Sequence, residues 1–180
     1  MKANVANPSG QATPATHTNV ATHTIDLGNG AEYIIDDNGA KHWFLNGKRH
    51  RTDGPASEYA DGTKCWILNG KLHRTDGPAV ESANGNKSWY LNGKYHRTDG
   101  PACEYANGDK YWFLNGERHR TDGPAIEYAN GNKYWYLNGK YHRTDGPAME
   151  FANGSKHWYI NGKQYSEEEF NMIKEVLWML

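Results

Sequence analysis

The chain has 180 residues, one or two domains by length, with 37% hydrophobic residues but 13% aromatic ones, so burial must rest on Trp and Tyr. With 20 basic and 21 acidic residues the formal charge is -1, which excludes the strong positive field of a nucleic-acid binder or of a protein drawn to anionic membranes. No window approaches the ~18 apolar residues of a membrane span.

Residues 1–25 are rich in Ala, Thr and Asn, carry "ATHT" at Ala15–Thr18 and again at Ala21–Thr24, and lack the apolar core of a signal peptide. Such a segment buries too little to offset its ordering entropy and is expected to be flexible. Cys65 and Cys103 are the only cysteines and fall at different repeat positions. That argues against a disulfide framework and for a reducing, cytoplasmic compartment.

From about residue 26 to 165 the chain is periodic. Trp43, Trp66, Trp89, Trp112, Trp135 and Trp158 recur at a step of 23 residues. His50, His73, His96, His119 and His142 keep the same step, each opening the string His-Arg-Thr-Asp-Gly-Pro-Ala. An opening unit, "AEYIIDDNGAKHW", is degenerate, and the last unit loses the string after Lys163. A period without insertions implies stacked units that touch only their neighbours. The expected array is five full units with partial ends.

Within a unit, two Asn-Gly pairs such as Asn138-Gly139 and Asn153-Gly154 flank short alternating runs, a strong hairpin signal. Lys133–Leu137 and Ala148–Phe151 read as strands, and Thr-Asp-Gly-Pro reads as a kink or loop between them. The fold class is therefore an all-β repeat: an elongated antiparallel hairpin meander, open or solenoidal. With two-residue turns at both Asn-Gly pairs, Leu137 opposes Lys140, Trp135 opposes His142, and Met149 opposes Trp158. This register puts the Trp, Leu and His series on one face with Val80, Cys103, Ile126 and Met149. The other face carries Glu58, Glu81, Glu104, Glu127, Glu150, the repeated Arg, Cys65, and the column Phe44, Ile67, Tyr90, Phe113, Tyr136, Tyr159.

Residues 166–180 break the pattern. Ser166 and Glu169 have capping-box spacing, and Phe170, Ile173, Leu177 and Leu180 fall on one helical stripe. The segment is expected to be a capping helix over the last hairpin, or a docking helix whose end carries Trp178, Met179 and Leu180.

The string "YANGNKYWYLNGKYH" with its period resembles the membrane occupation and recognition nexus (MORN) repeat, over about Tyr33–Lys163. It closely resembles a variant with "HRxDGPA" found in bacteriophage and bacterial proteins. The resemblance implies an elongated single-layer antiparallel sheet that works as an interaction module and has no catalytic role. It departs from the family where Arg143 and Asp145 replace glycines after "NGKxH", and Trp stands one residue further from the Asn-Gly.

No nucleophile with an orienting base and no phosphate-binding glycine loop is present, so no catalytic residue and no cofactor is expected. One His and one Asp per unit fall short of the three or four ligands of a metal cage. The repeated string is read first as structural: Asp accepting backbone N–H groups, Gly supplying an unusual dihedral, Pro fixing the exit, Arg pairing with acidic neighbours and His packing on Trp. Function then lies where units differ. A protein partner is expected to meet Arg49, Leu72, Tyr95, Arg118 and Tyr141, together with Tyr90, Phe113 and Tyr136. The variant's company points to a phage accessory factor that blocks a host enzyme. The competing reading is sequestration of an anionic, nucleotide-like ligand by His73, Arg74, His96, Arg97, His119, Arg120, His142 and Arg143. Open edges and aromatic surface also predict a homo-oligomer through a sheet edge or the C-terminal helix.

Overall fold

The computed structural model describes residues 22–177. It is an antiparallel β-repeat closed by one helix, α1 (Glu167–Leu177). Most of the segment expected to be flexible lies outside the described residues. Its last residues, however, belong to the fold, because strand His23–Gly28 pairs with Ala31–Ile35 and opens the sheet.

Each unit contributes to two rows of strands. Ile126–Glu127 pairs with Lys133–Tyr134, which pairs onward with Met149–Glu150. Repeated along the chain, these pairings make one 15-stranded antiparallel sheet. The second row consists of hairpins closed by the NGK turns, for example Tyr136–Leu137 with Lys140–Tyr141. These hairpins join to one another, Gly139 N donating to Arg118 O (2.9 Å) and Arg120 N to Tyr136 O (3.1 Å).

The tryptophans are the corners between rows. Trp135 N donates to Ala148 O (2.8 Å), and Trp135 O accepts from His142 N (3.0 Å). The five-residue strand expected over Lys133–Leu137 is therefore broken at Trp135 in the middle units. It survives whole only near the ends, as Lys41–Leu45 and Lys156–Ile160. Opposite each corner sits the alanine of Gly-Pro-Ala: Ala56, Ala79, Ala102, Ala125 and Ala148 are all fully buried.

The two Asn-Gly pairs of a unit make different turns. At the first, Asn138 (φ 48°) and Gly139 (φ 75°) are both left-handed, the type I′ geometry of a two-residue hairpin loop. The expected pairing of Leu137 with Lys140 holds there. At the second, only Gly154 is left-handed (φ 87°), while Phe151 N bonds Ser155 O and Gly154 N bonds Phe151 O. That is a three-residue loop ending in a glycine bulge, and Asn153 Oδ1 steadies it by accepting from Ser155 N (2.9 Å).

The extra loop residue moves the register by one. Met149 opposes His157 where Trp158 was expected. A one-residue slip turns a strand over. Val80, Cys103, Ile126 and Met149 therefore share a face with Cys65, Ser88, Tyr111, Tyr134 and His157. Cys65 and Cys103 lie on the same side of the sheet, both as free thiols. Burial pushes the Cys103 thiol up to about 11.

The core forms around Ala125, Ile126 and Tyr136, with Tyr111, Trp112, Tyr128, Tyr134 and Tyr141 packed against them. At the C-terminal end, Ser166 N donates to Glu169 Oε2 (2.8 Å) and Glu169 N to Ser166 Oγ (3.2 Å), the reciprocal capping box expected. Phe170 is buried (2% exposed) as α1 packs on strands Lys156–Ile160 and Lys163–Tyr165. Lys174 Nζ reaches the Asp145 carbonyl (3.3 Å) and ties the helix to the last corner. Trp178, Met179 and Leu180 lie outside the described residues.

Candidate functional site

The repeated string builds the corner after each second-row hairpin. Arg120 shows the pattern. Its guanidinium stacks on Trp112 at 4.1 Å from the ring centroid. Nε donates to Asp122 Oδ1 (2.8 Å), and Nη1 donates to Pro124 O (3.1 Å) and Glu127 Oε1 (2.9 Å). Arg74, Arg97 and Arg143 repeat every contact. Arg51 differs only in a longer approach to Glu58, 3.8 Å. Each guanidinium is thus sandwiched, paired and hydrogen-bonded within its own unit.

The glycine of the string has a different role from the one its sequence implies. Gly54, Gly77, Gly100, Gly123 and Gly146 are not in the left-handed region, so no unusual dihedral requires them. A Cβ on Gly123 would sit 2.8 Å from Arg120 Cζ, and the other four show the same crowding. Glycine is there so that the guanidinium can lie against the backbone.

The histidines link units. His119 Nδ1 accepts the backbone N–H of Asn138 (3.3 Å) and lies 2.8 Å from its Oδ1. His50, His73 and His96 do the same toward Asn69, Asn92 and Asn115, and His142 accepts from Asn161 N. The expected packing of His on Trp is not what forms: Arg covers Trp, and His latches the next type I′ turn.

Between successive corners lie four clefts of one design. One is lined by Arg97, Thr98, Asp99 and Gly100 from one unit and by Trp112, Leu114, His119, Arg120, Thr121 and Asp122 from the next, with a volume of about 480 Å³. The others measure about 470, 550 and 620 Å³, and their linings repeat these residue types. Thr52, Thr75, Thr98 and Thr121 are exposed at the cleft walls. Asp53, Asp76, Asp99, Asp122 and Asp145 are mostly exposed, and the hydrogen bond from the adjacent Arg holds each carboxyl below the usual range. The clefts therefore present carboxylates and hydroxyls over a Trp and Leu floor. Among the described residues, no three His, Cys, Asp or Glu side chains converge as metal ligands.

The residues expected to meet a protein partner lie elsewhere, and most are engaged. Tyr90 and Tyr95 sit 4.2 Å apart by ring centroid, Tyr95 stacks on Phe113 (5.0 Å), and Arg118 lies over both Phe113 (5.9 Å) and Tyr136 (5.4 Å). Tyr136 and Tyr141 continue the column (4.2 Å) to Tyr159 (5.2 Å). Tyr136 is buried at 5% exposure, and Arg49, Leu72, Tyr90, Tyr95, Phe113 and Tyr141 are half-buried. Only Arg118 is exposed. Most of these positions thus build an aromatic column along the second row of hairpins, with Tyr136 buried in it and the others keeping part of their surface exposed. Burial pushes the hydroxyls of Tyr90 and Tyr136 well above the usual phenol range.

The residues of the alternative ligand site, His73, Arg74, His96, Arg97, His119, Arg120, His142 and Arg143, do line the clefts, but their arginines are already neutralised by carboxylates. Nothing in the sequence marks the threonines as cleft residues, because each cleft forms only between two successive units. A search with family models finds none that matches this chain, and comparison with curated proteins finds no match.

Proposed function

We propose that the chain is a non-catalytic binding module that holds another protein along its row of clefts. The observation that carries this reading is the repetition of one cleft design four times at the spacing of the units. Two strands per unit advance the array by ~10 Å. An extended partner segment therefore meets the same wall of Thr hydroxyls and Asp carboxylates at each step. Catalysis needs one convergent set of groups, whereas here Arg and the imidazole Nδ1 are engaged in structural bonds in every copy. The resemblance to the MORN variant supplies the setting: a bacteriophage accessory factor that occludes a host enzyme.

The test is capture of partners from a host lysate by the wild-type chain and by a variant with Thr98→Trp and Thr121→Trp, which fills two clefts. The reading expects a partner retained by the wild type and lost by the variant at unchanged melting temperature. A partner retained equally by both, or a nucleotide that raises the melting temperature of the wild type, overturns it. The second outcome favours an anionic ligand.

A further inference from the structure

We infer that strand His23–Gly28 is the seam of an antiparallel homodimer in which two copies of this chain join their sheets edge to edge. The inference is independent of what the clefts bind.

The two ends of the array are finished differently. At the far end, α1 buries Phe170 over the last hairpin. At the near end, His23–Gly28 is the outermost strand of the 15-stranded sheet, and no described element lies beyond it. All six of its residues are exposed, including Ile25 (49%) and Leu27 (57%). A strand edge with open N–H and C=O groups is a template for another strand.

This edge is also continuous with an aromatic face. Ile25 pairs with Tyr33, Tyr33 with Trp43, and the Tyr33 and Trp43 rings lie 4.9 Å apart. A strand added outside Ile25 would extend that face. The protective devices of a solitary edge are sparse here, since His23–Asp26 contains no Pro or Lys and a single acidic residue. The bulge between Asp26 and Gly28 sits at the turn end and leaves His23–Asp26 regular. Thr22 Oγ1, donating to Asp37 Oδ1 (2.8 Å), pins the strand's start.

Self-pairing selects the second copy as occupant and fixes the register. Residues directly opposite in an antiparallel pair share a face, so a two-fold axis must pass through one residue's level. Centred on Asp26, it would set two carboxylates against each other. Centred on Thr24, it would leave Ile25 against His23. Centred on Ile25, it sets Ile25 against Ile25 and each Thr24 against the partner copy's Asp26, a hydroxyl donor facing a carboxylate. The Ile25 register buries the apolar side chain and opposes no like charges.

Light scattering coupled to size exclusion, over a concentration series of the full chain, tests the seam. The expected result is twice the chain mass at high concentration, falling to the chain mass on dilution. Ile25→Lys places two ammonium groups on the axis and should leave only monomer, with circular dichroism and melting unchanged. Thr24→Lys, opposite the partner copy's Asp26, should keep the dimer and move its dissociation to lower concentration. A wild-type chain that stays monomeric throughout overturns the inference, as does an Ile25→Lys chain that remains dimeric. So does a dimer that only Met172→Glu with Val176→Glu on α1 dissociates.

Discussion

The guanidinium carbon of Arg120 lies 4.1 Å from the centroid of the Trp112 ring, while Asp122, Pro124 and Glu127 accept hydrogen bonds from the N–H groups at its edge. Stacking needs a flat, delocalised cation, and its forked donors then reach the carboxylates and the Pro124 carbonyl at the same time. Arg120→Ala should lower stability by about 2–4 kcal/mol, combining a desolvated cation–π contact with charge-assisted hydrogen bonds. Arg120→Lys should recover less than half of that, because an ammonium cannot reproduce the fork. Urea unfolding followed by Trp fluorescence measures both.

Gly123 is coupled to the same side chain. Gly123→Ala brings a methyl to 2.8 Å from Arg120 Cζ and should destabilise by about 1–3 kcal/mol through overpacking. In an Arg120→Ala background the same substitution should be close to neutral, giving a clear coupling in the double-mutant cycle. Equal losses in both backgrounds would show that the backbone conformation, and not the guanidinium, demands glycine.

The corner aspartates set an acid limit. Each carboxyl is held below its unfolded value by its Arg, so its contribution is complete above about pH 4 and is lost as pH falls through the folded-state value. Urea midpoints should be flat from neutral pH to about pH 4 and then decline. Asp122→Asn should lower the plateau slightly and make the decline shallower. A variant with an unchanged slope would remove Asp122 from the account.

The two asparagines of a unit should respond unequally. Asn138 is held at φ 48°, and alanine there should cost about 1–2 kcal/mol because its Cβ opposes the left-handed conformation. Asn153 is outside that region, so Asn153→Ala loses only the bond to Ser155 N and should cost less. Asn138→Gly should be tolerated best of the three. Thermal melts rank them directly.

The π-column predicts a local effect. Tyr136→Ala should cost about 3–5 kcal/mol, as a large buried ring is removed. Hydrogen exchange should rise first at Gly139 and Arg120, whose amides join neighbouring hairpins, and least in strand His23–Gly28.

Much of this architecture was legible in the residues. Asn138-Gly139 and the alternation around it carry the hairpin, Ser166 and Glu169 carry the helix start, and the even Trp spacing carries the array. Each is a local signal, settled within a few residues by dihedral preference or side-chain reach. Asn153-Gly154 was misleading for the same reason. The dipeptide permits both a two-residue and a three-residue loop, and only the pairing of Met149 with His157 chooses between them.

The candidate site was less legible. The string announces a corner, yet nothing within it says that Gly123 yields space to Arg120, that His119 reaches Asn138 in the next unit, or that two corners enclose a cleft. These contacts join residues distant along the chain, and they exist only once the second row of hairpins is laid beside the sheet. The sequence by itself determined the period, the turns and the strand content, because these follow from short-range sterics. Which face is buried was decided by the tertiary structure, since a single extra loop residue inverts a strand and turns Tyr136 from an expected contact surface into core.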